Sequence, residues 1–201
     1  MSFYPKEEFT VNKINEYKSI LQIRLDESRY YHSVCVAAEA KRLAEKYGGD
    51  VDKCYLAGLL HDITKNASAE EHLQIFKSFG IILSDVENNA QKLWHAISGS
   101  AFVKYELNVQ DEEIIDAIRY HTTAKAGMSL TCKILFLADF TSKDRSYPDV
   151  NNIRALVDKS LDEALIYALK YSIIDLTERS KAIHPDTIAA FNETVLSMEE
   201  N

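Results

Sequence analysis

The feature that most constrains the fold is a helical spacing of apolar residues that runs along the whole chain. Apolar residues recur at positions i, i+3, i+4 and i+7, whereas strict alternation over more than four residues is hard to find. The 201 residues include only three prolines and six glycines, so few positions interrupt a helix. The sequence therefore predicts an all-α fold, a bundle of about eight to ten helices forming one domain over residues 1–201.

Capping and stop signals divide this pattern into individual helices. The Gly48-Gly49 pair is placed to end the second helix, and Asp50 and Asp111 are placed to cap later ones. The predicted helices cover about residues 7–25, 28–47, 51–63, 68–80, 85–107, 111–121, 129–142, 152–169 and 186–199. We predict a break in the fifth of them at residues 98–100, and an irregular loop at 142–150.

The net charge and the cysteines indicate which binding partners and which cell compartment to expect. The formal net charge is −8, which opposes attraction to nucleic acids and anionic lipids. Cys35, Cys54 and Cys132 have no CxxC spacing and lie in apolar helical stretches, which indicates buried thiols. The N-terminal residues lack the apolar core of a signal peptide, and nowhere do 18 apolar residues run together. We expect a cytoplasmic protein without a nucleic acid or membrane partner.

Polar residues on core-facing helix stripes are the strongest functional signal. Asp139 follows Cys132 and Leu135 in an apolar helix, and Asp62 is next to a histidine in the run LAGLLHDITK. The small residues of that run would let another element approach closely. Four of the six histidines lie on such stripes, namely His32, His61, His95 and His121. Each one alone could be a hydrogen-bonded core histidine, but one metal ion would satisfy the whole set with the fewest other partners.

The residue types indicate which ion and which chemistry to expect. His32, His61, Asp62 and Asp139 form a mixed imidazole and carboxylate set that suits Fe, Mn, Co, Zn or Mg. A divalent metal with open positions acidifies a bound water and neutralises charge on a phosphoryl oxygen. The chain has no Ser-His-Asp or Cys-His nucleophile pattern, no Gly-rich phosphate loop and no HExxH motif. These features favour metal-dependent hydrolysis of a phosphoester or phosphoanhydride.

Two cations and two further histidines complete the prediction. Lys65 lies one helical turn after Asp62, and Arg145 lies six residues after Asp139, so both could reach an anion held at the metal. The alternative for both is a solvated surface cation. His72, in the charged stretch AEEHLQ, is predicted to be exposed, and His184 precedes a proline and reads as part of a cap and loop.

Five segments in order carry a resemblance to a known family: RYYHSV, AGLLHDITK, LWHAISGSAF, IRYHTT and KILFLADF followed by Arg145. They resemble the HD superfamily of metal-dependent phosphohydrolases and, with IHPDT near the C-terminus, the narrower YqeK family of symmetrical diadenosine tetraphosphate (Ap4A) hydrolases. The match covers about residues 18–187. The resemblance implies an all-helical HD bundle that splits Ap4A and related dinucleoside tetraphosphates into two ADP molecules. The resemblance is also the only indication that the protein forms a homodimer.

The resemblance also implies roles for individual residues. His32, His61, Asp62 and Asp139 match the family's metal ligands, commonly an iron centre, and His95 and His121 could hold a second ion. Asp62 would orient or deprotonate the water, while Lys65, Arg145, His95 and His121 offset charge on the phosphates. The positions matching the surroundings of the ADP portion are His32, Asp62, Lys65, His95, His121, Thr122, Asp139, Arg145, Ala182, Ile183, His184, Pro185, Asp186 and Thr187.

The chain departs from the family pattern in one loop. Members usually read something like ADYIEPNR where this chain reads ADFTSKDR, so Ser142 replaces an acidic residue and Lys143 replaces a proline, while Arg145 is kept. This departure bears on the loop's shape and on substrate preference. One alternative function is an HD phosphohydrolase of another specificity, such as a 5′-nucleotidase or a dNTP hydrolase. Another is a non-catalytic nucleotide-binding sensor, against which the intact ligand set argues.

Overall fold

The computed structural model describes residues 11–199 and is helical throughout its regular elements. The described part of the chain contains eleven α-helices and no β-strand, which confirms the all-α prediction. The α-helices are α1 (Val11–Arg24), α2 (Glu27–Tyr47), α3 (Val51–Leu60), α4 (Ala69–Ser78), α5 (Asp85–Asn89), α6 (Trp94–Ala101), α7 (Glu112–Tyr120), α8 (Leu130–Thr141), α9 (Val150–Lys159), α10 (Leu161–Glu178) and α11 (Pro185–Glu199). The start of the predicted first helix, before Val11, lies outside the described residues.

The region predicted as one helix over 152–169 is two helices, so that prediction was wrong. Helix α9 ends at Lys159, and Ser160 has an extended backbone with φ of −152°. The Ser160 hydroxyl accepts a hydrogen bond from the backbone N–H of Glu163 at 3.2 Å, which caps α10. Because the apolar pattern continues across this cap, periodicity alone does not detect it.

The predicted break at residues 98–100 was also wrong. Helix α5 ends at Asn89, a 3₁₀ turn covers Gln91–Leu93, and α6 then runs through residues 98–100 without interruption. A π-helical segment, Phe102–Glu106, follows directly. The glycine at position 99 serves close packing, because a Cβ placed there would lie 3.3 Å from Thr64 Oγ1.

Helices α2, α3, α7 and α8 form the centre of the bundle. Helix α2 packs against α3 and α8, and α7 packs against α3, α6 and α8. The approach of α2 to α3 depends on Gly58, where a Cβ would lie 2.8 Å from the Cα of Ala37. This close approach is the one expected from the small residues before His61. It brings the inward faces of the two helices together at the ends that carry the histidines.

Two other sequence expectations concern the cysteines and the membrane. Cys35, Cys54 and Cys132 are buried free thiols, as predicted. Among the helices of residues 11–199, none is both long enough and apolar enough to cross a lipid bilayer.

Candidate metal centre

Two of the predicted histidines lie at the carboxyl ends of helices and are oriented by their own backbone. His61 caps α3, and its Nδ1 lies 2.8 Å from the carbonyl oxygen of Gly58. His121 caps α7, and its Nδ1 lies 2.7 Å from the carbonyl oxygen of Ile118. A carbonyl oxygen can only accept, so each Nδ1 carries the proton and donates it. Each Nε2 therefore keeps a lone pair that is available to a metal ion.

His32, on α2, is oriented by a carboxylate. Its Nδ1 lies 2.7 Å from Asp144 Oδ2, and the hydroxyl of Ser142 donates to the other oxygen of Asp144 at 2.8 Å. The Nε2 of His32 lies 2.9 Å from Asp139 Oδ1 on α8. With Nδ1 protonated, two lone pairs face each other across that gap, which favours a cation between them. A carboxylate behind a histidine is a common arrangement at metal sites.

The four predicted ligands converge. One set of ligand atoms within 4.8 Å of one another comes from His32, His61 and Asp139, and a second comes from His61, Asp62 and His121. His61 Nε2 and Asp62 Oδ1 are buried and have no hydrogen-bond partner. Unpaired buried acceptors are costly unless something binds them, and a divalent cation fits this donor set. We define the candidate metal centre as His32, His61, Asp62, His95, His121 and Asp139.

Three cations surround this centre. Lys65 Nζ lies 3.0 Å from His95 Nε2 and 3.5 Å from Asp62 Oδ1. The guanidinium of Arg145 pairs with the carboxylate of Asp139, and its Nε donates to the Asp139 carbonyl oxygen at 2.7 Å. Arg29, which the sequence analysis did not single out, donates from Nη1 to Asp62 Oδ2 at 2.9 Å. About a third of each of the three side chains is exposed, so each can also meet an anion from solvent.

The protonation states of the centre suit a cation. Burial would raise the pKa of Asp62, but the neighbouring His61, His121 and His95 hold that pKa well below the usual range. Burial likewise opposes ionisation of Asp139, whose pKa is held low by His32 and Arg145. Two charged carboxylates therefore lie in the centre.

Burial has the opposite effect on the imidazole of His95. Burial lowers the pKa of His95 to about 4, because the loss of hydration destabilises the charged ring more than the hydrogen bond with Asp62 stabilises it. His95 Nε2 lies 3.2 Å from Asp62 Oδ1 and 3.1 Å from His121 Nε2. The ring of His95 is therefore neutral at neutral pH.

The prediction that His72 is exposed was wrong. His72 is buried on α4, with Nδ1 2.8 Å from Ser98 Oγ, and its ring lies against Phe76 and Trp94. Ser98 Oγ also contacts the hydroxyl of Thr64 at 2.8 Å. The sequence signal for this buried face was Phe76, four positions after His72. The glutamates just before His72 led to the prediction of an exposed side chain.

The C-terminal strip, residues 182–187, lies against the carboxyl end of α7. The hydroxyl of Thr187 donates to the carbonyl oxygen of Thr123 at 2.7 Å. His184 is buried, with Nε2 3.6 Å from a carboxylate oxygen of Glu87. Thr122 Oγ1 is buried without a hydrogen-bond partner and is therefore available to a ligand. The strip thus contacts the chain two residues after His121 and, through His184, the helix that carries Glu87.

A cavity of about 520 Å³, which we name the Lys92 cavity, opens beside the centre. Its volume falls within the range of roughly 300–1,000 Å³ that is typical of small-molecule sites. Lys65 and His95 belong both to its wall and to the surroundings of Asp62. The lining residues are Lys65, Ala67, Ala69, His72, Gln91, Lys92, Trp94 and His95.

Comparisons with known proteins found relatives over most of this chain. The family model described as HD domain matches residues 29–144, a range that runs from Arg29 to Asp144 and includes the whole centre. A Bacillus subtilis (strain 168) protein named bis(5′-nucleosyl)-tetraphosphatase, symmetrical, is 37% identical over 169 residues, covering 84% of this chain and 90% of that protein. A protein of the same name from Halalkalibacterium halodurans is 33% identical over 180 residues, covering 90% and 96%.

A solved structure is similar over nearly the whole chain. It is the crystal structure of a Clostridium acetobutylicum protein described as a predicted HD superfamily hydrolase involved in NAD metabolism. The two share 31% sequence identity with a TM-score of 0.88, covering 92% of this chain and 97% of the other.

Proposed function

Because this chain belongs to the HD-domain family of metal-dependent phosphohydrolases and, within it, to the symmetrical bis(5′-nucleosyl)-tetraphosphatases, we propose that it hydrolyses Ap4A and related dinucleoside tetraphosphates into two ADP molecules. One observation carries the proposal. Two buried acceptor atoms, His61 Nε2 and Asp62 Oδ1, have no hydrogen-bond partner, and the partly exposed side chains of Lys65 and Arg145 lie close to the same centre. Such an arrangement fits a metal ion with a polyphosphate next to it.

We assign the metal to His32, His61, Asp62 and Asp139, with iron as the expected ion and Mn, Co, Mg or Zn as alternatives. His95 and His121, both close to Asp62 Oδ1, are the residues that would complete a second position. A divalent ion bound there supplies an acidified water and neutralises charge on the phosphoryl oxygens.

The side chains of the chain supply the remaining functions. Asp62 Oδ1 lies among Lys65, His95 and His121, and there it can orient the attacking water. Lys65 lies beside Asp62, and Arg145 pairs with Asp139, so both can offset charge that develops on the phosphate chain. His95 and His121 lie beside the same carboxylate oxygen, and their Nε2 atoms contact each other at 3.1 Å, so both rings face the position next to Asp62.

The nucleotide portion needs contacts away from the phosphates. We assign one ADP portion to Thr122 and the C-terminal strip, in addition to the cations and the metal ligands. The unpartnered hydroxyl of Thr122 and the position of the strip beside His121 support this assignment. The homodimer and the cytoplasmic location stay predictions, as does the absence of nucleic acid and membrane partners.

The first experiment is an anaerobic incubation of iron-loaded protein with Ap4A, with products resolved by ion-exchange chromatography. ADP as the sole product, absent in an Asp62→Ala control, is the expected result. AMP with ATP would contradict symmetric cleavage. No turnover in a metal-loaded sample would favour a 5′-nucleotidase, a dNTP hydrolase or a sensor, which a panel of nucleotides would separate.

A lysine pair tests the assigned role of Lys65. We expect Lys65→Ala to lower kcat/KM for Ap4A by ~10-fold or more, because a charge-assisted contact is worth roughly 1.5–3 kcal/mol. Lys77→Ala, an exposed position on α4, is the matched control and should leave kcat/KM unchanged. Equal kinetics for the two variants would remove Lys65 from the reaction.

A further inference from the structure

The Lys92 cavity and the C-terminal strip both adjoin the candidate metal centre, but through different residues. Lys65, His95 and His121 lie around Asp62 Oδ1, at 3.5, 3.2 and 3.7 Å from it. The cavity reaches the centre through Lys65 and His95, which belong to its lining. The strip reaches it through the bond from Thr187 to the carbonyl oxygen of Thr123, two positions after His121. Among the described residues that line the cavity, none belongs to the strip.

A dinucleoside tetraphosphate has two identical halves, and symmetric hydrolysis cuts the bond between them. If the scissile bond lies at the centre and one half lies along the strip, the other half needs a second site that also adjoins the centre. We propose that the Lys92 cavity binds this second half, a nucleoside diphosphate. The inference rests on the proposed function and extends it from one nucleotide site to two.

The chemistry of the cavity wall fits a nucleoside diphosphate. Lys65 at the inner end and Lys92 at the outer end provide positive charge for two phosphate groups. These local cations matter because the chain as a whole carries a net charge of −8 and would otherwise repel the substrate. Gln91 offers an amide that can both donate to and accept from a base or ribose.

Two aromatic rings of the cavity lining are fixed in place. Trp94 is buried, and its indole Nε1 donates to the carbonyl oxygen of Glu87 at 2.8 Å. The ring of His72 lies 6.1 Å from that of Trp94, and its Nδ1 contacts Ser98. Both side chains are therefore held before a ligand arrives. A preformed wall reduces the entropy lost on binding, as is usual for small-molecule sites.

The stoichiometry of ADP binding tests the proposal directly. Isothermal titration calorimetry of the metal-loaded protein with ADP should give two sites per chain in the wild type. Ala67→Trp places an indole in the cavity and should reduce the count to one. One ADP per chain in the wild type, or two retained in Ala67→Trp, would overturn the proposal.

A second variant tests the cavity in case Ala67→Trp does not fold. Lys92 is exposed, so it can be changed without disturbing the core. Lys92→Glu should raise KM for Ap4A by ~10-fold or more, since a favourable phosphate contact becomes a repulsion. The charge-matched control Lys77→Glu should leave KM unchanged. Equal KM values for the two variants would count against the cavity as a nucleotide site.

The same samples separate this inference from the proposed function. If the wild type converts Ap4A to ADP while both cavity variants behave like it, the inference fails and the proposed function stands. If the wild type does not cleave Ap4A, the proposed function fails, and the ADP stoichiometry still decides whether two nucleotides bind.

Discussion

Replacing Asp144 by asparagine should weaken metal binding without touching a metal ligand. Asp144 accepts from Nδ1 of His32 at 2.7 Å, and the asparagine keeps the size of the side chain while removing its charge. The carboxylate fixes the proton on Nδ1 and increases the basicity of Nε2, the atom that faces Asp139. The structure thus assigns to Asp144 an effect that is transmitted through His32.

The magnitude follows from the geometry. Only 18% of the Asp144 side chain and 5% of the His32 side chain are exposed, so solvent screens their interaction little. A hydrogen bond to a charged group is worth about 1.5–3 kcal/mol, and every ~1.4 kcal/mol is a factor of ten in affinity. We therefore expect Asp144→Asn to raise the Kd for the metal by ~10- to 100-fold, which agrees with typical effects of partners behind a ligand. Asp144→Ala should cost at least as much, because Nδ1 then loses its acceptor.

The assay is a competition titration of metal-free protein against a chromophoric chelator of known affinity. It reads binding alone and does not depend on turnover. Asp149→Asn, an exposed aspartate in the same stretch of chain, is the matched control. If Asp144→Asn and Asp149→Asn both bind metal as tightly as the wild type, the reasoning from the carboxylate is refuted.

Three further outcomes can be checked. Gly58→Ala should lower the free energy of unfolding by about 1–3 kcal/mol, since the new Cβ would lie 2.8 Å from Ala37 Cα, and an unchanged Tm would contradict that packing. Ser160→Ala should lower the free energy of unfolding by about 1 kcal/mol, or the Tm by about 2–4 °C, because it removes the hydroxyl that accepts from the Glu163 N–H. An unchanged Tm would mean that this cap does not stabilise the fold. Removing divalent ions with a chelator should abolish Ap4A turnover, and adding Fe²⁺ or Mn²⁺ should restore it; full activity of the metal-free protein would contradict metal-dependent hydrolysis.

The sequence predicted the parts of the fold and centre that depend on local spacing. His32, Asp139 and His121 were identified because each shares a helical stripe with apolar residues, which turns it toward the core. His32 begins its stripe, whereas Asp139 and His121 follow theirs. A close approach of another element to the small residues before His61 was expected for the same local reason, whereas the identity of that element, α2, was not predicted. Caps such as Asp111 were found because a cap involves only the next few residues.

Pairings between distant residues could not be predicted in this way. Asp144 and His32 are 112 positions apart, and Arg29 and Asp62 are 33 apart, so only the packed bundle shows that they touch. The cap at Ser160 is a different kind of error. Its signal, a serine followed three residues later by a glutamate, was present in the sequence, but the continuous apolar pattern outweighed it.

The directions of the helices at the centre determine how it can hold an anion. His61 and His121 are the residues that end α3 and α7, and Asp139 is in the last turn of α8. Three helices thus present their carboxyl ends, where the backbone carries partial negative charge, to one point. This polarity is the reverse of that in Gly-rich phosphate loops, where a helix begins at the ligand and its N–H groups bind the oxygens. The backbone here attracts cations and repels phosphate, so a phosphorylated ligand can be held only through a bound ion and through side chains such as Lys65 and Arg145.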